Sequence, residues 1–274
     1  MKEQGDFILL VTHLIPYPPR RGVEQRIYKL LRWLKSEGFR VILVVSASSI
    51  EQNVLVELRK VAYAVHWTRP PLRTRLGDRL PFLRKILWEP LKLILTLGRR
   101  NVSSVSTRPR LASPVGNDEL KKALCPDHLV HLVRQLSRKY SLRAVIAEYI
   151  FLTPCFAAVP HGVLKIVDTI DMFSLKTTQV LGFGIDDPYA CTRDEERESL
   201  MRADTVLAIQ PREASLLREL VPEREVLLVG MDYQVVDGGG CDEDRSVDLL
   251  VVASDNALNV HGLRGFLAEC WPRI

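Results

Sequence analysis

Acidic residues and a histidine stand where predicted strands end. His13 follows the apolar run 7–11, Glu148 closes the run 143–148, and Asp168 and Asp171 lie at the end of the run 163–170. Because parallel strands present their carboxyl ends at one edge of a sheet, we expect His13 and the two aspartates near the same edge. The competing interpretation is structural: aspartates satisfy loop amides, and a lone histidine is hydrogen-bonded within the fold.

A second feature with possible chemistry is the turn at Gly22, where a loop meets the start of a predicted helix. A helix N-terminus offers free N–H groups and a partial positive charge, and Arg20, Arg21 and Arg26 could attract phosphate groups. The alternatives stay open. Gly22 could simply relieve a tight turn, the arginines could remain solvated, and Glu24 could cap the helix without any ligand.

The elements that must position these residues alternate between strand and helix. An apolar run at 7–11 is followed by a proline-containing loop, an amphipathic helix from Gly22 and a second apolar run at 41–45, which is a βαβ unit. Further strands are predicted at 63–67, 143–148, 163–170, 205–209 and 225–229, and helices at 50–62, 117–140, 192–203 and 211–220. This order predicts an α/β fold, a doubly wound parallel sheet with helices on both faces.

Composition narrows the class of protein. The chain has 274 residues, of which 47% are hydrophobic and 26% charged, as in globular proteins. No apolar stretch reaches the roughly 18 residues of a membrane span, and the first residues lack the pattern of a signal peptide, so we expect a cytoplasmic protein. Five scattered cysteines have no metal-ligand spacing, which predicts reduced thiols and no metal site.

The positive charge is concentrated in the segment 69–100. Nine basic residues stand there against two acidic ones, a net charge of +7 in a chain whose total is +5. Leucines and aromatics are interleaved with them. This pattern predicts a basic helical insertion (69–116) that contacts an anionic membrane surface through Arg84, Lys85, Trp88 and Lys92. The alternative is that these leucines pack on the sheet while the arginines remain in water.

The end of the chain departs from the alternation. Residues 231–246 contain three consecutive glycines and several acids, which is typical of an interdomain linker. A strand at 247–253 and a helix at 259–270 follow. One strand and one helix cannot bury their apolar faces alone, so we expect 247–274 to be the start of an incomplete second domain.

The chain resembles the N-terminal domain of a GT-B-fold glycosyltransferase of the family-4 type, followed by the start of its C-terminal domain. The resemblance is carried by PYPPRRGVEQR with LLRWLKSEGFRV, by DTIDMFSLK, by RADTVLAIQPREASLLREL and by VVASDNALNVHGLRGFLAECWPRI. It implies a Rossmann-like acceptor-binding domain over 1–230 and a donor-binding domain that begins at 247. In that family the reaction takes place in the cleft between the two domains.

The resemblance also implies roles for individual residues. Gly22 matches the first glycine of a paired-glycine loop that approaches the donor diphosphate, and Val23 replaces the second glycine. Asp171 stands where many members have a histidine beside the donor sugar, so its carboxylate would stabilise an oxocarbenium-like transition state. Glu148, which closes another strand, could face the cleft and touch the acceptor, and His13, Arg26 and Asp168 are further candidates for binding donor or acceptor.

The implied function is transfer of a sugar from a nucleotide-sugar to a saccharide or lipid-linked acceptor in cell-surface polysaccharide or glycan synthesis, with retention of configuration. No cofactor other than this donor substrate is expected. The basic pair and the paired glutamates of the family's donor domain do not occur before the chain ends, so we expect a truncated gene or a fragment, or a split enzyme in which a separate chain supplies that half. The expected location is cytoplasmic, with peripheral attachment to the inner face of the membrane.

Functions from other classes are also considered. The first is a non-catalytic module, derived from the acceptor domain, that binds a membrane or a partner. A dinucleotide-dependent oxidoreductase is disfavoured, because the first turn has PPRRGVEQR in place of G-x-G-x-x-G and no acid closes the second strand. Nucleic-acid binding is disfavoured because the basic cluster contains no known module and is mixed with leucines.

Overall fold

A computed structural model describes residues 3–68, 122–185, 187, 189–231, 249–253 and 257–274. Within these residues one sheet has seven parallel strands in the order β3-β2-β1-β4-β5-β6-β7. The strands are β1 (Glu3–Thr12), β2 (Arg40–Val45), β3 (Ala64–Trp67), β4 (Tyr140–Glu148), β5 (Leu164–Asp168), β6 (Thr205–Ala208) and β7 (Glu225–Leu228). The predicted fold class, an α/β doubly wound parallel sheet, is confirmed.

Helices connect the strands in the described ranges. They are α1 (Gly22–Ser36), α2 (Gln52–Val61), α3 (Asp127–Lys139), α4 (Phe173–Gly182), α5 (Arg193–Leu200), α6 (Pro211–Leu220) and α7 (Ala257–Gly265). A 3-10 helix spans Ile150–Ala158 between β4 and β5. A π-helical turn at Phe266–Cys270 and a 3-10 turn at Trp271–Arg273 continue α7.

The central strand β1 shows why the sheet is covered on both faces. Successive side chains of a strand point to opposite faces, and every position of the apolar run in β1 is buried. Phe7, Leu9 and Val11 join the apolar cluster that contains the buried faces of α3 and α6, whereas Ile8 and Leu10 join the cluster that contains α1 and α2. The helices therefore form one layer on each side of the sheet.

The strand order reverses direction between β1 and β4. From β1 the chain moves outward through β2 to β3, and after residue 121 it returns to β4 on the other side of β1 and continues to β7. In open α/β sheets the crevice at such a reversal, outside the carboxyl ends of the strands, is the usual place for a ligand. His13 follows β1 and Glu148 ends β4, so both stand at this reversal.

Three expectations about elements need correction. The helix expected over 117–140 is interrupted: residues 122–124 are helical, and a second helix begins at Asp127 after Pro126, which lacks an N–H and takes the extended conformation of an N-cap. The strand expected over 247–253 is wrong for residues 249–253, which pair with no described strand; Leu250 and Val252 are 77% and 89% exposed. The 3-10 helix Ile150–Ala158 and helix α4 were not expected.

Several sequence predictions fall outside the described residues. They are the basic insertion 69–116 with Arg84, Lys85, Trp88 and Lys92, and nearly all of the linker 231–246. None of the helices in the described ranges is long and apolar enough to cross a membrane. The described cysteines, which are Cys125, Cys155, Cys191 and Cys270, are not in disulfide bonds.

Helix α4 begins directly after the β5 loop, and its N-terminus is held by a carboxylate from another helix. Glu196 of α5 is fully buried and accepts hydrogen bonds from the Phe173 N–H at 2.7 Å, the Ser174 N–H at 3.0 Å and the Ser174 hydroxyl. A carboxylate at a helix N-terminus satisfies otherwise unpaired N–H groups and complements the helix dipole. Glu196 therefore fixes where α4 starts.

We predict that Glu196→Ala lowers the free energy of unfolding by about 3 kcal/mol, because it leaves buried donors without an acceptor. Glu196→Gln keeps one acceptor oxygen and should cost less. Chemical denaturation measures both. Glu198→Ala is the control, because Glu198 is 73% exposed and pairs only with Arg202 at the surface, and it should change stability by under about 0.5 kcal/mol. Equal losses for Glu196→Ala and Glu198→Ala would contradict the prediction.

Candidate functional site

The candidate site lies at the carboxyl ends of β1, β4 and β5. Glu148 and Asp168 are the last residues of their strands and stand opposite each other in the β4–β5 register. The Tyr149 N–H then donates a hydrogen bond of 2.8 Å to the Asp168 carbonyl oxygen, which ties the two strand ends together. The predicted convergence at one sheet edge is therefore observed for these residues.

A buried ion pair joins helix α1 to this edge. Arg26 donates from Nε to Asp168 Oδ2 at 2.7 Å and from Nη2 to Asp168 Oδ1 at 2.9 Å, and the two residues are 7% and 0% exposed. Its Nη1 also donates to the carbonyl oxygens of Val229 at 2.8 Å and Gly230 at 3.3 Å. Burial raises the pKa of Asp168, and the two bonds from Arg26 oppose that rise. This bidentate geometry keeps the carboxylate ionised.

Glu148 is the most unusual group of the site. Its side chain is fully buried, and neither carboxyl oxygen has a hydrogen-bond partner among the described residues. Burial raises the pKa of Glu148 well above its usual range; the charge of Asp168 raises it further, and Arg26 opposes this. An unpaired carboxyl group in such surroundings stays protonated, because the neutral form costs far less to desolvate.

His13 and Tyr149 cover the same edge. Their rings are 4.9 Å apart between centroids, and the Nδ1 atom of His13 is buried without a described hydrogen-bond partner. Burial lowers the pKa of His13 to about 4, so the imidazole is neutral at physiological pH. Burial also raises the pKa of the Tyr149 phenol, and the charge of Asp171 raises it further, so the phenol keeps its proton.

Two backbone conformations near the site are strained. Tyr149 has φ 73° and Ile170 has φ 62°, values that β-branched and aromatic residues rarely adopt. Ile170 is the centre of a three-residue turn closed by the Asp171 N–H and the Thr169 carbonyl oxygen at 2.7 Å. Strain of this kind persists only where the surrounding structure imposes it, and it concentrates at functional sites.

Asp171 lies on the solvent side of the cluster. Its side chain is 42% exposed and forms an ion pair of 3.3 Å with Lys176 of α4. A carboxylate at this position is accessible to a ligand without any rearrangement, unlike Glu148. The catalytic role given to Asp171 by the resemblance remains a prediction.

The Gly22 turn has a structural explanation within the chain. Glu24 Oε2 accepts hydrogen bonds of 2.9 Å from both the Arg20 and the Arg21 N–H groups, so the chain's own carboxylate caps α1. A Cβ added at Gly22 would meet nothing within 4 Å, and Val23 packs against the α1–α2 apolar cluster. Ligand contacts of Gly22 and Val23 therefore remain predictions that no contact in the structure supports.

Sequence reasoning named most of the ionisable residues of the site but not how they interact. The pairing of Arg26 with Asp168 joins residues 142 positions apart, and no local sequence pattern predicts it. The role of Tyr149 was missed, because its positive φ is imposed by neighbouring strands rather than by a glycine. Within the described residues, no group of three or more His, Cys, Asp or Glu side chains could hold a metal ion.

No protein-family model matches the chain, and no curated protein matches it. A solved structure of sucrose-phosphate synthase from Thermosynechococcus elongatus is similar at 13% identity and a TM-score of 0.48, covering 82% of this chain and 48% of that chain. Phytolacca americana UGT2 complexed with UDP-2fluoro-glucose and pterostilbene is similar at 12% identity and a TM-score of 0.47, covering 85% and 56%.

The glycotransferase of kitacinnamycin is a further similar structure, at 12% identity and a TM-score of 0.41, covering 90% of this chain and 56% of that chain. The chain thus spans about half the length of each of these three solved structures. Such low identity and TM-scores carry no argument about activity, so the function has to be argued from the residues of the site.

We predict that Arg26→Met lowers the free energy of unfolding by about 3–5 kcal/mol, because it leaves the Asp168 carboxylate buried without its partner. The double variant Arg26→Met/Asp168→Leu should lose less than Arg26→Met alone, since it removes the uncompensated charge. Arg32→Met, on the exposed face of the same helix, should change stability by under about 0.5 kcal/mol. Urea denaturation measures all three, and a double variant no more stable than Arg26→Met would contradict this account.

A second prediction concerns the pH dependence caused by Glu148. Its pKa is higher in the folded than in the unfolded state, so over the interval between the two values only the folded chain keeps the proton. The stabilisation of the folded chain that comes from protonated Glu148 is complete below the pKa of Glu148 in the unfolded chain. It is lost as pH rises through the pKa of Glu148 in the folded chain, at up to about 1.4 kcal/mol per pH unit.

Glu148→Gln is neutral at every pH and should remove this loss. Relative to the parent chain, the variant should therefore gain stability as pH rises above about 5. Denaturation midpoints measured from pH 4 to pH 9 check the difference, with Glu219→Gln, an exposed residue of α6, as the control. A difference between Glu148→Gln and the parent that does not change with pH would show that Glu148 is not a buried neutral acid.

Proposed function

We propose that residues 1–230 form the acceptor-binding domain of a GT-B-fold glycosyltransferase of the family-4 type. The sequence resemblance over most of positions 7–274 supports the family, and the doubly wound parallel sheet is the architecture which that resemblance implies. In this proposal residues 231–246 link the domain to a donor-binding domain whose first residues are 247–274.

The observation that carries the proposal is the group of polar side chains at the strand-order reversal. The neutral Glu148 acid, the neutral His13 imidazole and the Tyr149 phenol meet there beside the Arg26–Asp168 ion pair. Neutral donors and acceptors around an aromatic ring suit a polyhydroxylated ligand, because sugar hydroxyls need hydrogen bonds in both directions while the ring face stacks on carbon atoms. A strongly charged ligand would not need this set of neutral hydrogen-bonding groups.

In the proposed reaction Asp171 and the more buried groups have different tasks. The Asp171 carboxylate, whose side chain is 42% exposed, would stabilise by charge the positive charge that develops on the donor sugar. His13 and Tyr149 would orient the acceptor hydroxyl, and Glu148 would reach it only after a rearrangement, because its side chain is fully buried. Asp168 and Arg26 hold the strand ends in place, because their bonding capacity is already used on each other and on backbone carbonyls.

The finer parts of the proposal rest on the resemblance. They are a nucleotide-sugar donor, retention of configuration, an acceptor in cell-surface polysaccharide or glycan synthesis, and catalysis only when a donor-binding domain is supplied, by this protein or by a separate chain. Peripheral attachment to an anionic membrane surface at the cytoplasmic side is proposed from the charge of residues 69–100.

A binding experiment tests the acceptor-domain proposal. The full chain should bind neutral mono- and oligosaccharides from a panel, measured by saturation-transfer NMR, and Tyr149→Ala should weaken the best binder at least about tenfold by removing the stacking ring. Phe183→Ala, an exposed aromatic outside the site, is the control and should leave binding unchanged. Absence of saccharide binding, or equal effects of both variants, would overturn the proposal.

Donor turnover separates the enzyme from the non-catalytic module. The chain alone should show no transfer from nucleotide-sugars, because the donor domain supplies most nucleotide contacts in the resembling family. Transfer that appears when a donor-domain chain is added, and disappears in Asp171→Asn, would establish the enzyme. Saccharide binding without transfer under any such condition would favour the module.

A further inference from the structure

Two residues of the candidate site have buried polar atoms without partners. They are Glu148, through both carboxyl oxygens, and His13, through Nδ1, and none of these atoms has a hydrogen-bond partner among the described residues. Burying such groups unpaired costs free energy, and each one in a native structure calls for an explanation. Glu148 is 0% exposed, so a ligand reaches its carboxyl group only if the residues that cover it move.

Tyr149 stands at the place where this cover has to open. It directly follows Glu148 at the end of β4, and its side chain is partly exposed. Its ring packs against the His13 ring at 4.9 Å and the Phe173 ring at 5.7 Å between centroids. Tyr149 and His13 are thus partly exposed residues that follow the ends of β4 and β1, beside the buried Glu148 carboxyl group.

The backbone of Tyr149 is held in a conformation that tyrosine disfavours. Its φ of 73° and ψ of 146° lie near a region that essentially only glycine occupies. Two hydrogen bonds impose this conformation: the Tyr149 N–H donates to the Asp168 carbonyl oxygen at 2.8 Å, and the Leu152 N–H donates to the Tyr149 carbonyl oxygen at 3.1 Å. A return of Tyr149 to negative φ would relieve the strain and would break or rearrange these bonds.

The covered position is therefore the sum of opposing contributions. The backbone strain of Tyr149 and the unpaired atoms of Glu148 and His13 oppose it, whereas the ring contacts and the two backbone hydrogen bonds favour it. Glu148 tolerates the covered position because its carboxyl group is neutral there. Opposing contributions of this kind allow a second position of Tyr149 to be populated by local opening.

We propose that Tyr149 is a gate that closes over Glu148 and His13 and opens to admit the hydroxyl groups of the acceptor. In the open position residue 149 has a negative φ, and its ring has moved off Glu148 and stacks on the sugar. This inference rests on the proposed function and describes how its site admits the acceptor. A neutral carboxyl group both donates and accepts hydrogen bonds, as a sugar hydroxyl requires.

Carboxyl labelling of the full chain, without any ligand, measures the opening. A water-soluble carbodiimide and a small amine convert accessible carboxyl groups to amides, and peptide mass spectrometry gives a rate for each residue. Glu219, on the exposed face of α6, is the open reference, and Glu196, fully buried at the start of α4, is the closed reference. Glu148 should be labelled at least about tenfold slower than Glu219 and at least about tenfold faster than Glu196.

Low urea concentrations separate opening of the gate from unfolding of the domain. Local opening exposes little surface, so the labelling rate of Glu148 should hardly change with urea below the unfolding transition. The rate of Glu196 should rise steeply, because its labelling requires the domain to unfold. A Glu148 rate as slow as that of Glu196, with the same urea dependence, would overturn the inference.

Substitutions at Tyr149 assign the gate to this residue. Tyr149→Ala removes the ring and should raise the labelling rate of Glu148 to within about threefold of that of Glu219. Tyr149→Gly removes the same ring without backbone strain and should act alike, whereas Tyr149→Phe keeps the ring and the parent rate. Phe183→Ala, an exposed aromatic outside the site, is the control and should change nothing. Parent rates of Glu148 labelling in both ring-deleted variants would overturn the inference.

Addition of a saccharide separates this inference from the proposed function. The best binder, at saturation, should slow the labelling of Glu148 at least about fivefold and leave Glu219 unchanged, because the bound hydroxyl occupies the Glu148 carboxyl group. Urea-independent labelling of Glu148 that depends on Tyr149, without binding of any saccharide, would support the gate and refute the proposed function. Saccharide binding that depends on Tyr149 but leaves the labelling of Glu148 unchanged would keep the proposed function and overturn the gate.

Discussion

The ion pair between Arg26 and Asp168 is the interaction on which the arrangement of the site depends. It joins the first helix to the end of β5, and the same guanidinium group holds the carbonyls of Val229 and Gly230 where the chain leaves the sheet. Its five N–H groups make this possible, because a planar guanidinium can bond a carboxylate bidentately and still reach other acceptors. One side chain thus fixes three parts of the fold around one edge.

This pair also determines the state of its neighbours. An ionised Asp168 beside Glu148 makes a second negative charge unfavourable, so burial and the adjacent carboxylate together keep Glu148 neutral. The site therefore contains one compensated ion pair and a set of neutral polar groups, rather than a field of exposed charges. That balance is the physical basis for proposing an uncharged, hydroxyl-rich ligand.

Helix α4 begins at this polar edge, and a buried carboxylate decides where. Glu196 fixes the first residue of the helix by capping Phe173 and Ser174 from α5. With its start fixed, the helix presents Lys176 to Asp171.

The sequence alone determined the class of fold and the residues that meet at the sheet edge. Continuous apolar runs such as 7–11 and 41–45 suit strands covered on both faces, and parallel strands bring the residues that follow them together, as observed for His13, Glu148 and Asp168. Local patterns also placed α1, β2 and α6, because capping residues, apolar periodicity and first-turn proline act within a few positions. Only the tertiary structure decided how these residues interact.

The pairing of Arg26 with Asp168, the unpartnered state of Glu148 and the positive φ of Tyr149 depend on strands and helices that are distant in sequence. The strand expected over 247–253 is absent from its described residues 249–253 for the same reason, since an apolar run becomes a strand only where another strand supplies its hydrogen bonds.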